Sequence, residues 1–589
     1  MRKTLLTILI LPVLAACGKT GPATIDVQGV HLDKTELNLA PGQTARLEAT
    51  LEPADATDPT LTWKTEDKNI ATVREGTVTA VSEGITNVIV RTYSGGFTAT
   101  CQVTVADPDK PEPPAPGPDP EPDPQPDTQA PAAYGTVPTD GQVAWQRQEL
   151  IMFYHFGPAT FSGYDGEKAT YSAAELVSHF QPSALDCDQW VKTAADNGFK
   201  EVILTAKHHD GFSLWDNPES TCDIAACPEP YNKDILKLVS DACKKYGVHF
   251  GIYLSPWDKL AGSESAYEDQ YINAIKSLAE GQYGTLTEFW LDGNHAGNLN
   301  FSNVNAAIQA KNPDVVIFSN VGPGCRWVGN EDGNAGETNW STFSPSAHGA
   351  SQSSLPGAYG SYLWSGDKGG SAWIPAECDF SIQDIGDNNG WFWGPDDGRK
   401  SAKRLMEIYY QSVGRNSVFL MNVPPNRTGV IDAKEKEVLE AFKQMRDQVF
   451  GTDLAAGAKA TASSIRGKDE ASFGPAHLLD GDYDTYFATD DGVKTADITF
   501  TLDGSKTFNR VQLQEYIPLG QRVERFEIQV RKGGQWSDWG DGEKTTIGHK
   551  RIILGSTVTA DAVRLKITSA LACPVLNGFA LYNDTVSGL

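Results

Sequence analysis

Three different hydrophobic patterns follow one another along the chain. From about Pro22 to Ala106, β-branched and polar residues alternate in short runs such as Ala45 to Leu51 and Asn87 to Arg91, with turns at regular spacing. A period of two broken this often predicts a small β-sandwich over residues 22–106. The pattern then disappears. Residues 107–131 hold eleven prolines and seven Asp or Glu, too polar to bury a core, so residues 107–132 read as an extended, self-repelling linker. At about 3.1 Å per residue it would reach roughly 80 Å.

From residue 133 to 450 apolar runs and helical spacings take turns. The strand candidates are Leu150 to His155, Val202 to Ala206, His249 to Leu254, Thr287 to Leu291, Val315 to Ser319 and Ser417 to Asn422. Helical stretches such as Asp234 to Tyr246 fall between them, and Ala433 to Val449 closes the segment. This is the pattern of a (β/α)8-type barrel. After Gly451 the chain returns to short β runs, among them Ile498 to Leu502, Val511 to Glu515, Phe526 to Arg531 and Val563 to Ile567, so residues 451–589 are expected to form a second β-sandwich.

Composition changes this picture at two points. Residues 1–17 carry Arg2 and Lys3, an apolar run from Leu5 to Val13, and then Leu14-Ala15-Ala16-Cys17, which resembles the lipobox of bacterial lipoproteins. The run is too short to span a bilayer as a mature helix. By that resemblance Cys17 is acylated and anchors the chain to a membrane, placing it in the cell envelope at the outer membrane. The net charge of -27 argues against nucleic acid as a partner, for which a basic stripe is the footprint. The eight other cysteines show no CxxC pairs of a zinc site. Cys222 and Cys227 are near enough in sequence for a disulfide, with buried thiols as the other reading.

The chemistry concentrates at strand ends. Val202 to Ala206 runs into Lys207-His208-His209-Asp210, and Leu286 to Leu291 runs into Asp292-Gly293. In a parallel barrel the C-terminal ends of the strands carry the active site. The same residues also read as interior histidines, with Asp292 capping a helix. Neither the GxSxG elbow of serine hydrolases nor a phosphate-binding Walker loop is present.

Five pieces in order resemble the α-L-fucosidases of glycoside hydrolase family 29. They are Tyr154 to Gly157, Lys207 to Trp215, Gly251 to Asp258, Phe289 to Gly293 and Leu420 to Asn426. The likeness implies an exo-acting enzyme in which Asp292 is the nucleophile and His155, His208, His209, Tyr253 and Trp290 hold fucose. A retaining mechanism needs a second carboxyl group about 5 to 5.5 Å away. Arg326 to Gly333 resembles the acid/base segment of the branch that prefers α-1,3 and α-1,4 linkages and points to Glu331, with burial expected to raise its pKa. Its rivals are Asp332, Glu288, Asp258, Glu337 and Glu377. Gly390 to Gly394 resembles an aromatic segment of the same branch, with Trp391 and Trp393 walling the pocket.

Residues 22–106 resemble the bacterial immunoglobulin-like fold, group 2, through Leu37 to Gln43, Leu61 to Thr65 and Gly76 to Gly84, which implies a spacer or adhesive module. Ala476 to Phe487 resembles a loop of discoidin-like, coagulation-factor type C domains, often carbohydrate-binding modules. That likeness implies a structural calcium near Asp480 and Asp482, although Asn577 stands in the final strand where the family usually supplies a carboxylate. The expected function is hydrolysis, with retention and without a cofactor, of α-1,3/1,4-linked fucose on Lewis-type oligosaccharides or glycoprotein glycans. A broad α-1,2 fucosidase, a transfucosylase and a non-catalytic glycan-binding surface lipoprotein are the alternatives.

Overall fold

The computed structural model describes residue 25 and residues 27–92, 96–106, 129–162, 171–261, 264–292, 299–352, 361–384, 390–395 and 398–589. The lipobox with Cys17 and most of the acidic, proline-rich segment lie outside the described residues.

Residues 29–105 build the first unit from short strands. Glu36–Leu39, Thr98–Val105, Gly84–Thr92 and Leu61–Thr65 form a four-stranded sheet in the order first, second, third, fourth. Thr44–Arg46, Thr77–Ala80 and Ala71–Arg74 form a three-stranded one. Alternation sets the packing: along Gly84–Thr92 every second residue from Thr86 to Thr92 is buried. Leu47, Val78, Val88, Cys101 and Val103 meet between the sheets.

In the second unit eight parallel strands close into a barrel. They are β1 (Leu150–Tyr154), β2 (Glu201–Lys207), β3 (His249–Leu254), β4 (Leu286–Trp290), β5 (Val316–Ser319), β6 (Cys325–Trp327), β7 (Ala376–Ser381) and β8 (Ser417–Asn422). Covered on both faces, six of them read as largely apolar runs. The helices obey ordinary rules. Ile235–Tyr246 starts where the Asp234 side chain accepts the Lys237 N–H, buries Ile235, Leu236, Val239 and Cys243 along one face, and ends at Gly247 in the left-handed region.

Two strands, β6 and β7, carry no strand pattern in the sequence. Only the five residues 320–324 separate β5 from β6. Between β6 and β7 the excursion 328–375 contains an antiparallel pair, Thr342–Phe343 with Ala372–Trp373. Residues 459–582 form a seven-stranded sheet folded over its own core, in which Phe500 and Phe579 stack with centroids 3.6 Å apart. Its two long strands, Ala496–Glu515 and Arg551–Ala570, run through register shifts rather than stopping at turns. All eight described cysteines, Cys222 and Cys227 included, are free thiols in buried positions.

This C-terminal sheet is seated on the N-terminal end of the barrel strands. Glu149, immediately before β1, meets Lys550 at 2.5 Å, and Asn416, immediately before β8, accepts the His549 backbone N–H at 2.7 Å. Glu337 binds both Arg415 of the barrel and Arg551 of the sheet. The opposite end of the barrel is left to the site.

Candidate active site

Each strand delivers its functional side chain at its C-terminal end. His155 follows β1, His208 and His209 follow β2, Ser255 follows β3, Asp292 follows β4 and Asn422 ends β8. Parallel strands all deliver to one face, so these five segments, distant in sequence, converge.

Asp292 is held in place by its neighbours. The Tyr253 hydroxyl donates to Oδ2 at 3.0 Å, and His209 Nε2 lies 3.5 Å from the same oxygen. His209 is oriented in turn by Ser255 Oγ, 2.6 Å from Nδ1. The Asp292 side chain retains 39% exposure, so the carboxylate is open to an incoming group while its orientation is set from below. Tyr253 itself is closed to solvent, which makes it a support for the carboxylate.

Asn422 organises the other wall. Its Oδ1 accepts the His155 backbone N–H at 3.2 Å and lies 3.0 Å from His155 Nδ1, and its Nδ2 donates to the Trp391 carbonyl at 2.8 Å. An amide oxygen only accepts, so the imidazole proton sits on Nδ1 and Nε2 is left as an acceptor for a hydroxyl. Burial lowers the His155 pKa to about 3 against the opposing effect of Asn422 and Asp292, and it lowers that of His208 well below the usual range. Both rings are therefore neutral at physiological pH. His208 Nδ1 is buried without a hydrogen-bond partner, and the ring stacks on Tyr253 at 5.5 Å.

The aromatic segment after β7 splits. Gly390 adopts φ 73°, with an added Cβ falling 2.5 Å from the Gln383 carbonyl, so only glycine makes this turn. Trp391 then packs at a tilt 5.0 Å from His155, and Phe392 meets His155 and His208 edge-on at 5.4 and 5.0 Å. Trp393, expected on the pocket wall, instead donates to Asp432 Oδ2 at 2.7 Å beside Arg427. Three consecutive aromatics cannot all face one way, and the Trp393 indole N–H is taken up by Asp432. Phe392 takes the inner place.

Trp391 also joins the two candidate carboxylates' surroundings, for its Nε1 donates to Glu331 Oε2 at 3.2 Å. Glu331 is exposed, contrary to the burial expected of it. The rivals are sorted by their partners. Asp258 pairs with Lys207 at 3.0 Å, Glu337 with two arginines at the far end, and Glu288 and Glu377 lie in the barrel interior. Asp332 is exposed beside Glu331. Asp379 on β7, absent from the sequence reading, is buried, accepts from Trp327 Nε1 at 2.9 Å, and is pushed well upward by burial and by the nearby Glu331 charge. Its position inside a strand gave no signal.

Donor atoms of His208, His209 and Asp292 lie within 4.8 Å of one another, a spacing that several hydroxyls of one sugar also bridge. Glu288, Cys325 and Glu377 converge similarly, but Trp145 and Trp290 N–H groups fill one oxygen of each glutamate and the thiol faces Glu288. That is a hydrogen-bonded acid cluster. Neutral acceptor imidazoles, apolar ring faces and an exposed carboxylate together suit a polyhydroxylated ring with one hydrophobic side.

Comparison with known proteins agrees. Residues 137–445 match the family described as alpha-L-fucosidase, residues 459–579 the F5/8 type C domain and residues 26–103 the bacterial Ig-like domain, group 2. Alpha-L-fucosidase 1 of Arabidopsis thaliana is 36% identical over 466 residues, covering 77% of this chain and 88% of that protein. Among solved structures, SpGH29 superposes with a TM-score of 0.70 at 33% identity, covering 77% of this chain and all of that one. A fucosidase of glycoside hydrolase family 29 from Ruminococcus gnavus, solved in complex with fucose, gives 0.69 at 29%, covering 78% of this chain and 98% of that one. The chain belongs to the α-L-fucosidases of glycoside hydrolase family 29.

Proposed function

We propose that this glycosidase releases terminal α-1,3/1,4-linked fucose from Lewis-type glycans with retention of configuration, using Asp292 as nucleophile and Glu331 as acid and then base. The observation that carries the reading is the fixing of the Asp292 carboxylate by Tyr253 and His209 at the C-terminal end of β4. Tyr253 and His209 fix Oδ2 of a partly exposed carboxylate whose charge acts on the His155 ring, and His155 and His208 pack against Trp391 and Phe392. Sugar hydroxyls would donate to the neutral imidazoles, and the C–H face would rest on the aromatics. Attack by Asp292 expels the leaving oxygen, Glu331 supplies its proton, and water activated by the same residue returns the site to its starting state. Exposure suits Glu331 to this exchange, because the leaving group and the water both enter from the mouth.

The test is fucose release from Lewis a trisaccharide and from 2′-fucosyllactose, with NMR detection of the anomer released first. Release of α-fucose from the Lewis substrate supports the assignment; preference for 2′-fucosyllactose moves the chain to the broad branch, and β-fucose overturns retention. Asp292→Asn should fold normally and lose on the order of 10³-fold or more in kcat, since no nucleophile remains. Near-normal turnover would sink the role of Asp292.

Cys17 is proposed as the acylated residue that tethers the enzyme to the outer membrane, tested by detergent partitioning of Cys17→Ser. The type C domain is proposed to bind glycan and to hold a structural calcium near Asp480 and Asp482. Asn577 Oδ1, buried without a hydrogen-bond partner beside the loop of Asp482 and Tyr483, is the oxygen that suits a hard cation. Removing calcium should lower the melting temperature of that domain if the site is real, and leave it unchanged if Asn577 is only structural.

A further inference from the structure

We propose that Glu377 is a positioning residue for the fucosidase reaction, holding the Trp290 indole in the place from which Tyr253 aligns Asp292. The proposal rests on the reading of Asp292 as the reacting carboxylate.

The connection is continuous. Glu377 on β7 reaches across the barrel interior, is wholly buried, and accepts from Trp290 Nε1 at 2.7 Å. Trp290 is wedged between Phe318, stacked at 3.7 Å, and Tyr253, stacked at 5.5 Å, with Phe153 against its edge at 5.2 Å. Tyr253 in turn donates to Asp292. Stacking fixes the plane of an indole but leaves it free to slide or turn within that plane. The N–H bond to Glu377 removes that freedom, because any other in-plane orientation would bury the N–H unpaired.

The surroundings of Glu377 explain how a carboxyl group can serve here. It shares the interior with Glu201 from β2, Glu288 from β4, Cys325 from β6 and Asp379 two residues along its own strand. Loss of water pushes Glu377 up to about 8 despite the Trp290 bond, and Glu201 adds to the rise. At neutral pH the group is therefore neutral, Oε2 keeps the indole N–H, and Oε1, which has no hydrogen-bond partner, is the place for the proton. Its role is that of an acceptor of fixed position, which an amide can copy.

Four variants test this. Glu377→Leu should lower kcat at least tenfold with a smaller change in KM, because the carboxylate alignment suffers more than sugar binding. Glu377→Gln, whose amide oxygen accepts the same N–H, should restore kcat to within threefold of wild type. Trp290→Phe, which deletes the N–H, should also lose at least tenfold. The double variant Glu377→Leu/Trp290→Phe should be no worse than the poorer single by more than threefold, since both remove one link. Multiplicative losses in the double variant, or a Gln variant as impaired as Leu at an unchanged melting temperature, would overturn the proposal. Should Glu377→Leu not fold, wild-type kcat in Trp290→Phe overturns it alone. Activity in Asp292→Asn would sink the nucleophile assignment without touching this cycle, and additivity in the cycle would sink the positioning role without touching Asp292.

Discussion

At the scale of single residues, what distinguishes the pocket is that His155 and His208 are held neutral, with His155 set up as an acceptor. A histidine near neutrality is usually a mixture of charged and neutral forms. Here burial keeps His155 neutral down to about pH 3, and Asn422 assigns its proton to Nδ1. Asn422→Ala should therefore free the ring, losing hydrogen bonds worth about 1 to 3 kcal/mol and raising KM roughly tenfold to a hundredfold. Initial-rate kinetics check this, and an unchanged KM would show that the ring is held by its aromatic neighbours. The strand-end places of His155, His208, His209 and Asp292 are legible in the sequence because each follows an apolar run, whereas Trp290, expected to hold fucose, lies buried between Phe318 and Tyr253. The bridging role of Asn422 and the inward turn of Phe392 are not legible in the sequence. One depends on which backbone groups meet across the closed barrel, the other on which of three adjacent aromatics finds a hydrogen-bond partner elsewhere.

At the scale of elements, the six apolar strands announce themselves and β6 and β7 do not. Cys325–Trp327 has only three residues, and Ala376–Ser381 carries Glu377 and Asp379, a polar pattern for a strand buried throughout. The barrel interior holds those acids beside Glu201 and Glu288, each bonded to an indole or hydroxyl donor, and Gly251 leaves space for the group: an added Cβ would lie 2.9 Å from Glu201 Oε1 and 3.1 Å from Glu288. This packing has a consequence for stability. Burial raises Glu201 to about 7, so between pH 4.5 and 7 the folded protein holds a proton that the unfolded chain releases. Stability tied to that proton is present below about pH 4.5 and falls as pH rises through 7, by about 3 kcal/mol if the whole shift is realised. Glu201→Gln keeps an acceptor for the Thr287 hydroxyl and cannot titrate. Melting temperatures should thus decline less between pH 5 and pH 8 in the Gln variant than in wild type. Parallel curves would mean that Glu201 stays ionised in the folded barrel.

For the barrel and type C domain taken as a whole, function and assembly occupy opposite ends. The substrate enters at the C-terminal ends of the strands, while the type C domain grips the N-terminal ends through Glu149, Glu337 and Asn416. The grip is electrostatic where it is least exposed. Glu149 sits at φ 60°, a conformation that costs a non-glycine residue energy, and is kept there between Lys550 and His549. Burial alone would raise its pKa, but the Lys550 ammonium and His549 outweigh that and bring it to about 2. The sign follows directly. A carboxylate with a depressed folded-state pKa contributes stability that is fully present above the unfolded value of 4.5 and is lost as pH falls toward 2. The full shift corresponds to about 3 kcal/mol at pH 7, and Lys550→Met, which strands Glu149 in a buried position, should lose roughly that amount. Urea unfolding of the chain lacking residues 1–17 would show wild type well above Lys550→Met at pH 7 and the two converging as the pH approaches 2. Because the contact joins two domains, the loss should appear as separation of one transition into two, with the barrel and the type C domain melting apart. A single transition displaced equally at every pH would show instead that apolar packing, and not this ion pair, fastens the two domains together.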